Sequence, residues 1–412
     1  VEAVVATHLC LFAGPAGPPR LRDGRGQRTL HVISTYTHTH YEAVSVAPAL
    51  GDILMNHIAN DSNILVTGSQ GYIGSRLVHF LKARGFQNIT GLDAGYYVDG
   101  LLYPVPGATD VSYIEEDIRS LTVDDLSGFD AVVHLAELSN DPLSMHNEAN
   151  TYSINHEGSV QLARRSRDAG VSRFVYTSSC SVYGIQNGDE IKTENSTPVP
   201  QTAYARCKVL VEQDLSALAD ESFIPTFLRN ATAYGPSPRM RFDIVLNNLA
   251  GLAWTTGVIR LTSDGTPWRP LVHVEDICRA VACTLEAPAD NVRGEVLNVG
   301  DTDENYQIRE IATVVADTFP GCDLTVGDKN ADDNRSYRVS FSKIHETLPK
   351  FRCEHTVEDG ALQLRRVFED IDLSGETFTF RAYTRLKQLQ HLIDTGQIDE
   401  QFYRTTGSGV RA

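Results

Sequence analysis

A chain of 412 residues, 42% hydrophobic and 22% charged, is long enough for one large folded body or two coupled ones, and no apolar run in it approaches the length of a membrane span. Its formal net charge of -17 argues against nucleic acid as a partner, and only seven of its 36 basic residues are lysine. Seven scattered cysteines, with no CxxC pair and no histidine cluster at ligand spacing, fit reduced thiols in a cytoplasmic protein and point to no metal site. The acid-rich, lysine-poor surface leaves two readings open, an ordinary acidic cytoplasmic enzyme or a protein kept soluble in high salt.

Residues 1–60 carry a Gly/Pro run at Gly14–Pro19, an Arg-rich patch and a Thr/His-rich stretch at Thr35–His40, with neither a helical nor a strand period. Val1–Ala13 is fairly apolar but lacks the basic start of a signal peptide. Met55 is the first methionine, and the first clear strand follows it closely. The expectation is an upstream extension without catalytic work, or a misassigned start.

Asn63–Gly74 is the stretch around which the chain is organised. Ile64, Leu65 and Val66 suit a buried parallel strand, Gly68, Gly71 and Gly74 follow at three-residue steps, and Ser75–Arg84 has a helical apolar face. Strand, glycine turn and helix hold a dinucleotide: backbone comes close to a diphosphate, and the helix start at Tyr72 and Ile73 offers free N–H groups. Asp93 ends the next apolar run, nineteen residues after Gly74, where a carboxylate accepts from ribose hydroxyls and repels a 2′-phosphate. No arginine follows Asp93 closely, so NAD is favoured over NADP.

Beyond it, apolar strands alternate with amphipathic helices, which predicts an α/β fold with a doubly wound parallel (Rossmann) sheet. Strands are expected at Val111–Ile114, Asp130–Ala136, Arg173–Thr177 and Phe223–Leu228, with one helix over Glu148–Ala169 and another holding Tyr204 and Lys208. Past Gly235 the period loosens. Segments at Val258–Leu261 and Glu295–Val299, and helices over His273–Leu285, Ile308–Phe319 and Val357–Phe368, suggest a smaller mixed α/β substrate lobe. The expected division is 1–60 extension, 61–235 cofactor domain, 236–370 mainly substrate lobe with parts returning to the core, and 371–412 helical tail. That tail has a helical stretch near Thr384–Thr395 and a frayed Gly407-Ser-Gly end.

Tyr204 and Lys208 are four apart and share a helix face. A phenol is a poor base, but a nearby ammonium and a positive nicotinamide favour the phenolate. Ser179 follows a strand end, the edge where such sheets bind ligands, and its hydroxyl can hold the oxygen Tyr204 deprotonates. Together they would take a proton from an alcohol while its carbon gives hydride to NAD.

With these residues in view, the chain resembles an extended short-chain dehydrogenase/reductase of the NAD-dependent nucleotide-sugar epimerase/dehydratase family. The matching motifs are Thr67-Gly68-x-x-Gly71-x-x-Gly74, Asp117-Ile118, His134-Leu135-Ala136, Asn155, Thr177-Ser178-Ser179 with Val182-Tyr183-Gly184, Tyr204-x-x-x-Lys208, Tyr234-Gly235-Pro236 and Arg269-x-x-x-His273-Val274-x-Asp276, spread over about residues 61–370. The resemblance implies Asp117 and Ile118 near adenine, Leu135 and Ala136 along the cofactor, and Lys208 on the nicotinamide ribose. It implies Arg269 and Arg335 on a nucleotide diphosphate, Thr232 in the substrate pocket, and a homodimer through the helices around Glu148–Ala169 and Tyr204–Leu218. Surface ion pairing is the plainer reading of the two arginines, a solvated acidic end that of Asp117, and satisfaction of nearby backbone the expected job of Asn155. Arg239 and Arg241 face either a diphosphate or a helix end. Sugar 4,6-dehydratases of the family have Asp-Glu where this chain has Cys180-Ser181, and many relatives have Asn at Thr232. The expected activity is therefore epimerisation of a nucleotide-diphosphate sugar, most simply at C4, as in UDP-glucose 4-epimerases. A nucleotide-sugar dehydrogenase or reductase is the alternative, and a non-catalytic NAD-binding scaffold a more distant one.

Overall fold

The computed structural model describes residues 57–104, 111–139, 144–145, 147–185, 190–327 and 336–405. The first apolar run becomes strand β1 (Asn63–Thr67), followed by β2 (Asn88–Asp93), β3 (Ser112–Glu115), β4 (Ala131–His134) and β5 (Arg173–Ser179). Strands Ile224–Asn230 and Val296–Val299 complete one sheet, in which every pairing is parallel. Across it the order is Val296–Val299, Ile224–Asn230, β5, β4, β1, β2, β3. The chain winds outward from β1 to β3, then returns to β1's other side as β4. That reversal opens a crevice beyond the carboxyl ends of β1 and β4.

Helices cover both faces, so central strands are apolar on both sides. Leu77, Val78 and Leu81 of helix Tyr72–Arg84 pack in one core with Ile277, Val281 and Leu285 of helix Val274–Glu286. On the other face Leu162, Val211 and Leu215 pack against Leu65, Val132 and Phe174. A third core joins helices Val245–Thr256, Ile308–Thr318 and Val357–Asp370 through Leu249, Val315 and Leu364. Beside it lies a three-stranded sheet of Thr232–Tyr234, Trp268–His273 and Asn305–Gln307. Among the described residues no helix is long and apolar enough to cross a membrane.

Several boundaries differ from the sequence reading, each for a local reason. Val296–Val299 belongs to the main sheet, because Val296 and Leu297 pair in register with Phe227 and Leu228. His273 ends a strand rather than starting a helix, since its Nδ1 accepts from Glu275 N and caps the helix that begins at Val274. The helix expected over Glu148–Ala169 is interrupted by a π segment, Tyr152–Gly158. There Asn155 is fully buried, its Oδ1 accepting from Leu138 N (2.8 Å) and its Nδ2 donating to Leu138 O (3.1 Å). Such an inserted residue turns the amide to the loop after β4, and Asn155 satisfies backbone as expected.

Of residues 1–60, only 57–60 lie in the described part: Ile58 is 6% exposed and its N–H donates to Leu285 O at 3.0 Å. Gly407-Ser-Gly lies outside the described residues. The tail does form a helix, Arg385–Asp394, and its Leu389, Leu392 and Phe402 make a small core with Tyr96, Leu138 and Ile154.

Glu304, beside the three-stranded sheet, accepts from Val357 N (3.1 Å) and Tyr306 Oη (3.3 Å). Burial pushes its pKa up from 4.5 to about 7. A raised carboxyl pKa stabilises the fold fully below 4.5, and that contribution is lost as pH rises through 7. Glu304→Gln should therefore gain in urea midpoint over the wild type at pH 8 and not at pH 5. An equal difference at both pH values would show that Glu304 does not titrate in this window.

Candidate active site

A cleft of about 770 Å³ opens at the carboxyl edge of the main sheet, a size suited to a cofactor with substrate. Its floor is the glycine turn after β1. Gly68 has φ +71°, and a Cβ there would lie 2.8 Å from Ala136 N. A Cβ on Gly74 would lie 2.1 Å from Gly68 O. Gly68 lets the turn lie against the end of β4, where Leu135 and Ala136 line the cleft, and Gly74 lets the following helix pack on the turn itself. Gly71 caps helix Tyr72–Arg84 without a side-chain bond, and Tyr72 and Ile73 line the same wall. Tyr72 Oη donates to Gly235 O at 2.6 Å, which ties the turn to the segment after Tyr234.

Asp93 ends β2 at the cleft's far end. Its Oδ2 accepts from Gln70 N (2.9 Å) and its Oδ1 from Gly95 N (2.8 Å). Burial raises its pKa, while these two N–H groups pull the other way. Ile118 is 4% exposed and lines the cleft with Asp117. Asp117 is no solvated end: Arg119 forks its carboxylate through Nε (3.0 Å) and Nη2 (2.7 Å), and stacks on Tyr403. A glycine cradle that any Cβ would fill, with a carboxylate at its ribose end, fits a dinucleotide.

Across the cleft, Thr202 caps helix Ala203–Ser216 by accepting from Ala205 N at 3.2 Å. The helix places Tyr204 half-buried on the wall and Lys208 one turn further in, 3% exposed. Lys208 Nζ lies 5.3 Å from the Tyr204 ring centre and 4.6 Å from that of Tyr176. It donates to Thr177 O (2.5 Å) and pairs with Glu137 Oε2 (2.6 Å). Tyr176 Oη donates to the other oxygen, Glu137 Oε1, at 2.6 Å. Burial raises the Glu137 pKa, opposed by Lys208 and by the Tyr176 hydroxyl. Glu137 went unnoticed in the sequence, although a lone carboxylate in the apolar run Ala131–Leu138 was the available signal.

Ser179 ends β5 and lines the cleft. Its Oγ accepts from Ser181 N (3.1 Å) and caps the turn Cys180–Tyr183. Beneath it, Ser178 Oγ donates to Glu212 Oε1 (2.5 Å), and Glu212 forks Arg229, both buried. Cys180 turns away from the cleft and donates to Arg229 O (3.1 Å), its thiol pKa raised by burial.

Thr232 and Arg269 also line the cleft, and Arg269 Nη1 donates to Trp268 O at 2.9 Å. Arg335 lies outside the described residues. Arg241 forks Asp243 (2.8 and 3.2 Å) and Arg239 bonds Val98 O and Gln70 Oε1, so neither caps helix Val245–Thr256. Arg385, from the tail, lines the cleft as well; nothing in its local sequence pattern marks it. The fold also gathers His273, Glu275 and His355, whose ligand-type atoms lie within 4.8 Å of one another. His273 Nδ1 accepts from Glu275 N, Arg76 pairs with Glu275, and His355 Nδ1 meets Asp276 at 3.3 Å, while the buried His273 Nε2 has no hydrogen-bond partner among the described residues.

Comparison with known proteins decides the family: the sequence model of the NAD dependent epimerase/dehydratase family matches residues 64–300. The chain belongs to that family. Its relatives include a UDP-glucose 4-epimerase of Vibrio cholerae, 28% identical over 61% of this chain and 75% of that protein. A dTDP-glucose 4,6-dehydratase of Streptomyces antibioticus is 30% identical over 69% of this chain and 86% of its own. Among solved structures, MoeE5 in complex with UDP-glucuronic acid and NAD superposes with a TM-score of 0.64, at 28% identity, over 75% of this chain and 100% of that one. The cofactor of this family member is NAD, and the chain is an enzyme of the extended short-chain dehydrogenase/reductase type.

Removing Glu137 leaves a buried ammonium without its counter-ion, which costs about 3–5 kcal/mol. Glu137→Ala should lower stability by that order in urea unfolding at pH 7. An unchanged midpoint would show that the pair carries no weight in the fold.

Proposed function

We propose that this enzyme is an NAD-dependent epimerase of a nucleotide-diphosphate sugar, most simply acting at C4 of a UDP-hexose. The supporting observation is that Tyr204, Lys208 and Ser179 line one cleft, while Cys180, which turns away from it, and Ser181 stand where dehydratases of the family would carry an acid pair. Tyr204 Oη takes the proton of the reacting hydroxyl, and Ser179 Oγ holds the same oxygen. Lys208 is fixed by Thr177 O and Glu137, with its ammonium 5.3 Å from the Tyr204 ring centre, and so positions the phenol. NAD held along Gly68–Gly74, Asp93, Leu135 and Ala136 would supply a reversible hydride acceptor for the sugar carbon, which is the chemistry that inversion by transient oxidation requires.

Thr232, Arg269 and Arg335 hold the nucleotide sugar, the arginines as forks for its phosphate oxygens. In this reading 61–235 carries the cofactor, 236–370 mainly the substrate, and two copies pair in the cytoplasm through the helices around Glu148–Ala169 and Tyr204–Leu218. UDP-glucose and UDP-galactose are the first substrates to try, since epimerases named for the former are among the relatives.

Removing the proton acceptor tests this reading. Tyr204→Phe should lower kcat about 10²–10⁴-fold while the purified protein keeps its NAD. Undiminished turnover would remove Tyr204 from the chemistry. NADH accumulating in proportion to added sugar, in the wild type, would replace the epimerase with a net oxidoreductase.

A further inference from the structure

The tail after Asp370 lies beyond the family match, which ends at residue 300, yet it walls one end of the cleft. It is firmly attached there. Arg385 N donates to Asp243 Oδ2 (3.2 Å), Gln388 Nε2 to Tyr96 O (3.1 Å), and Arg404 Nε to Ala94 O (3.0 Å). From the body, Asn150 Nδ2 donates to Glu400 O (2.7 Å) and Arg119 Nη1 to Gln401 O (2.9 Å). The tail therefore covers the loop that follows Asp93, the ribose end of the cofactor site.

Arg385 is 3% exposed and lines the cleft, its guanidinium 3.8 Å above the Tyr97 ring. Its Nε has no hydrogen-bond acceptor, and the Tyr97 hydroxyl beside it is buried with none either. Arg241, 8% exposed, adds a second guanidinium whose carboxylate partner is Asp243. Burial and the nearby Arg241 draw the Arg385 pKa down to about 10, as expected of a crowded cation. Asp243 is forked by Arg241 and takes the backbone N–H of Arg385, while the Arg385 Nε and the Tyr97 hydroxyl lack an acceptor among the described residues. Such a corner is costly unless an anion rich in acceptors fills it.

We propose that Arg385, Arg241 and the Tyr97 hydroxyl form an anion subsite for the diphosphate of bound NAD, making the C-terminal tail part of the cofactor's cage. Phosphate oxygens match guanidinium forks and leave lone pairs for a phenol. The dinucleotide is favoured over the sugar nucleotide because the corner's neighbours belong to the cofactor wall. Arg385 stacks on Tyr97 in the loop after Asp93, and Arg241 Nη1 donates to Ser139 O (3.3 Å) in the loop that follows Leu135 and Ala136.

The test uses full-length holoenzyme without substrate, so it stands or falls apart from the epimerase reading. NAD release is followed on dilution for the wild type, Arg385→Gln, Arg385→Lys and Tyr97→Phe. Release should be at least about tenfold faster for Arg385→Gln, with Arg385→Lys between it and the wild type, in line with losing a charge-assisted bond. Tyr97→Phe should accelerate release by a smaller factor. Stripped of NAD, Arg385→Gln should melt no lower than the wild type, because burial costs the Arg385 guanidinium more than the nearby Asp243 and Asp93 return. Wild-type release from Arg385→Gln would overturn the proposal. So would unchanged release with weakened UDP binding to the NAD-loaded variant, which would give the corner to the sugar nucleotide.

Discussion

Lys208 can sit 3% exposed under the active-site wall only because three neighbours answer its charge. Glu137 supplies a carboxylate, Thr177 a carbonyl, and Tyr176 both a ring face and a hydroxyl that steadies Glu137. Each comes from a different place: the end of β4, the end of β5, and the body of β5. The ammonium therefore fixes helix Ala203–Ser216 against two strand ends at once. Tyr204 inherits its position from that bond, one helical turn earlier on the same face. A buried pair of this kind contributes little net stability, but it is intolerant of losing one partner. Its value here is register, since no apolar contact would place the phenol as sharply.

The same logic repeats one layer deeper. Glu212, from the same helix, takes Ser178 Oγ and the Arg229 fork, while Arg229 reaches the Tyr183 hydroxyl at 3.0 Å. Tyr183 in turn donates to Asn298 on the edge strand, at 2.7 Å. The turn that carries Ser179 is thus suspended between the helix bearing Tyr204 and the last strand of the sheet. On the other flank, His134 bridges Thr67 and Ser159 (2.7 Å each) with its pKa drawn down to about 3 by burial, so it stays neutral and acts as a spacer. These bonded polar groups set the strand ends that a cofactor meets.

How much of this could be read beforehand follows from the range of each interaction. The glycine turn, the Tyr204–Lys208 spacing and the capping of strand ends are local, so their pattern lies in a dozen residues. Asn155 was legible too, because a polar side chain in an apolar helix face needs a backbone partner. Glu137 was not, because its role depends on two residues brought to it by β5 and by a helix about seventy positions away. The fork of Arg119 on Asp117 removes the plainer reading of a solvated acidic end for a similar reason. Charge runs show composition, and only the fold shows which charge turns inward. A short apolar run such as Val296–Val299 carries no sign of its pairing partner, so its place in the main sheet shows only in the fold. Arg385 is the extreme case, a surface-like residue in a polar helix that packing turns into a wall of the cleft.

Asp93 illustrates how the two kinds of information combine in the choice of cofactor. The absence of a following arginine suggested NAD, but folding brings Arg239 near the same carboxylate from more than a hundred residues away. That cation could in principle have welcomed a 2′-phosphate. It is instead tied to Val98 O and Gln70 Oε1, while Asp93 keeps one backbone N–H on each oxygen and retains lone pairs for a hydroxyl donor. A phosphate would have to displace Arg239 and sit against a carboxylate whose position two amides fix. A ribose diol need only donate. The discrimination therefore rests on the locked carboxylate, and the nearby arginine tempers its burial without reversing its preference.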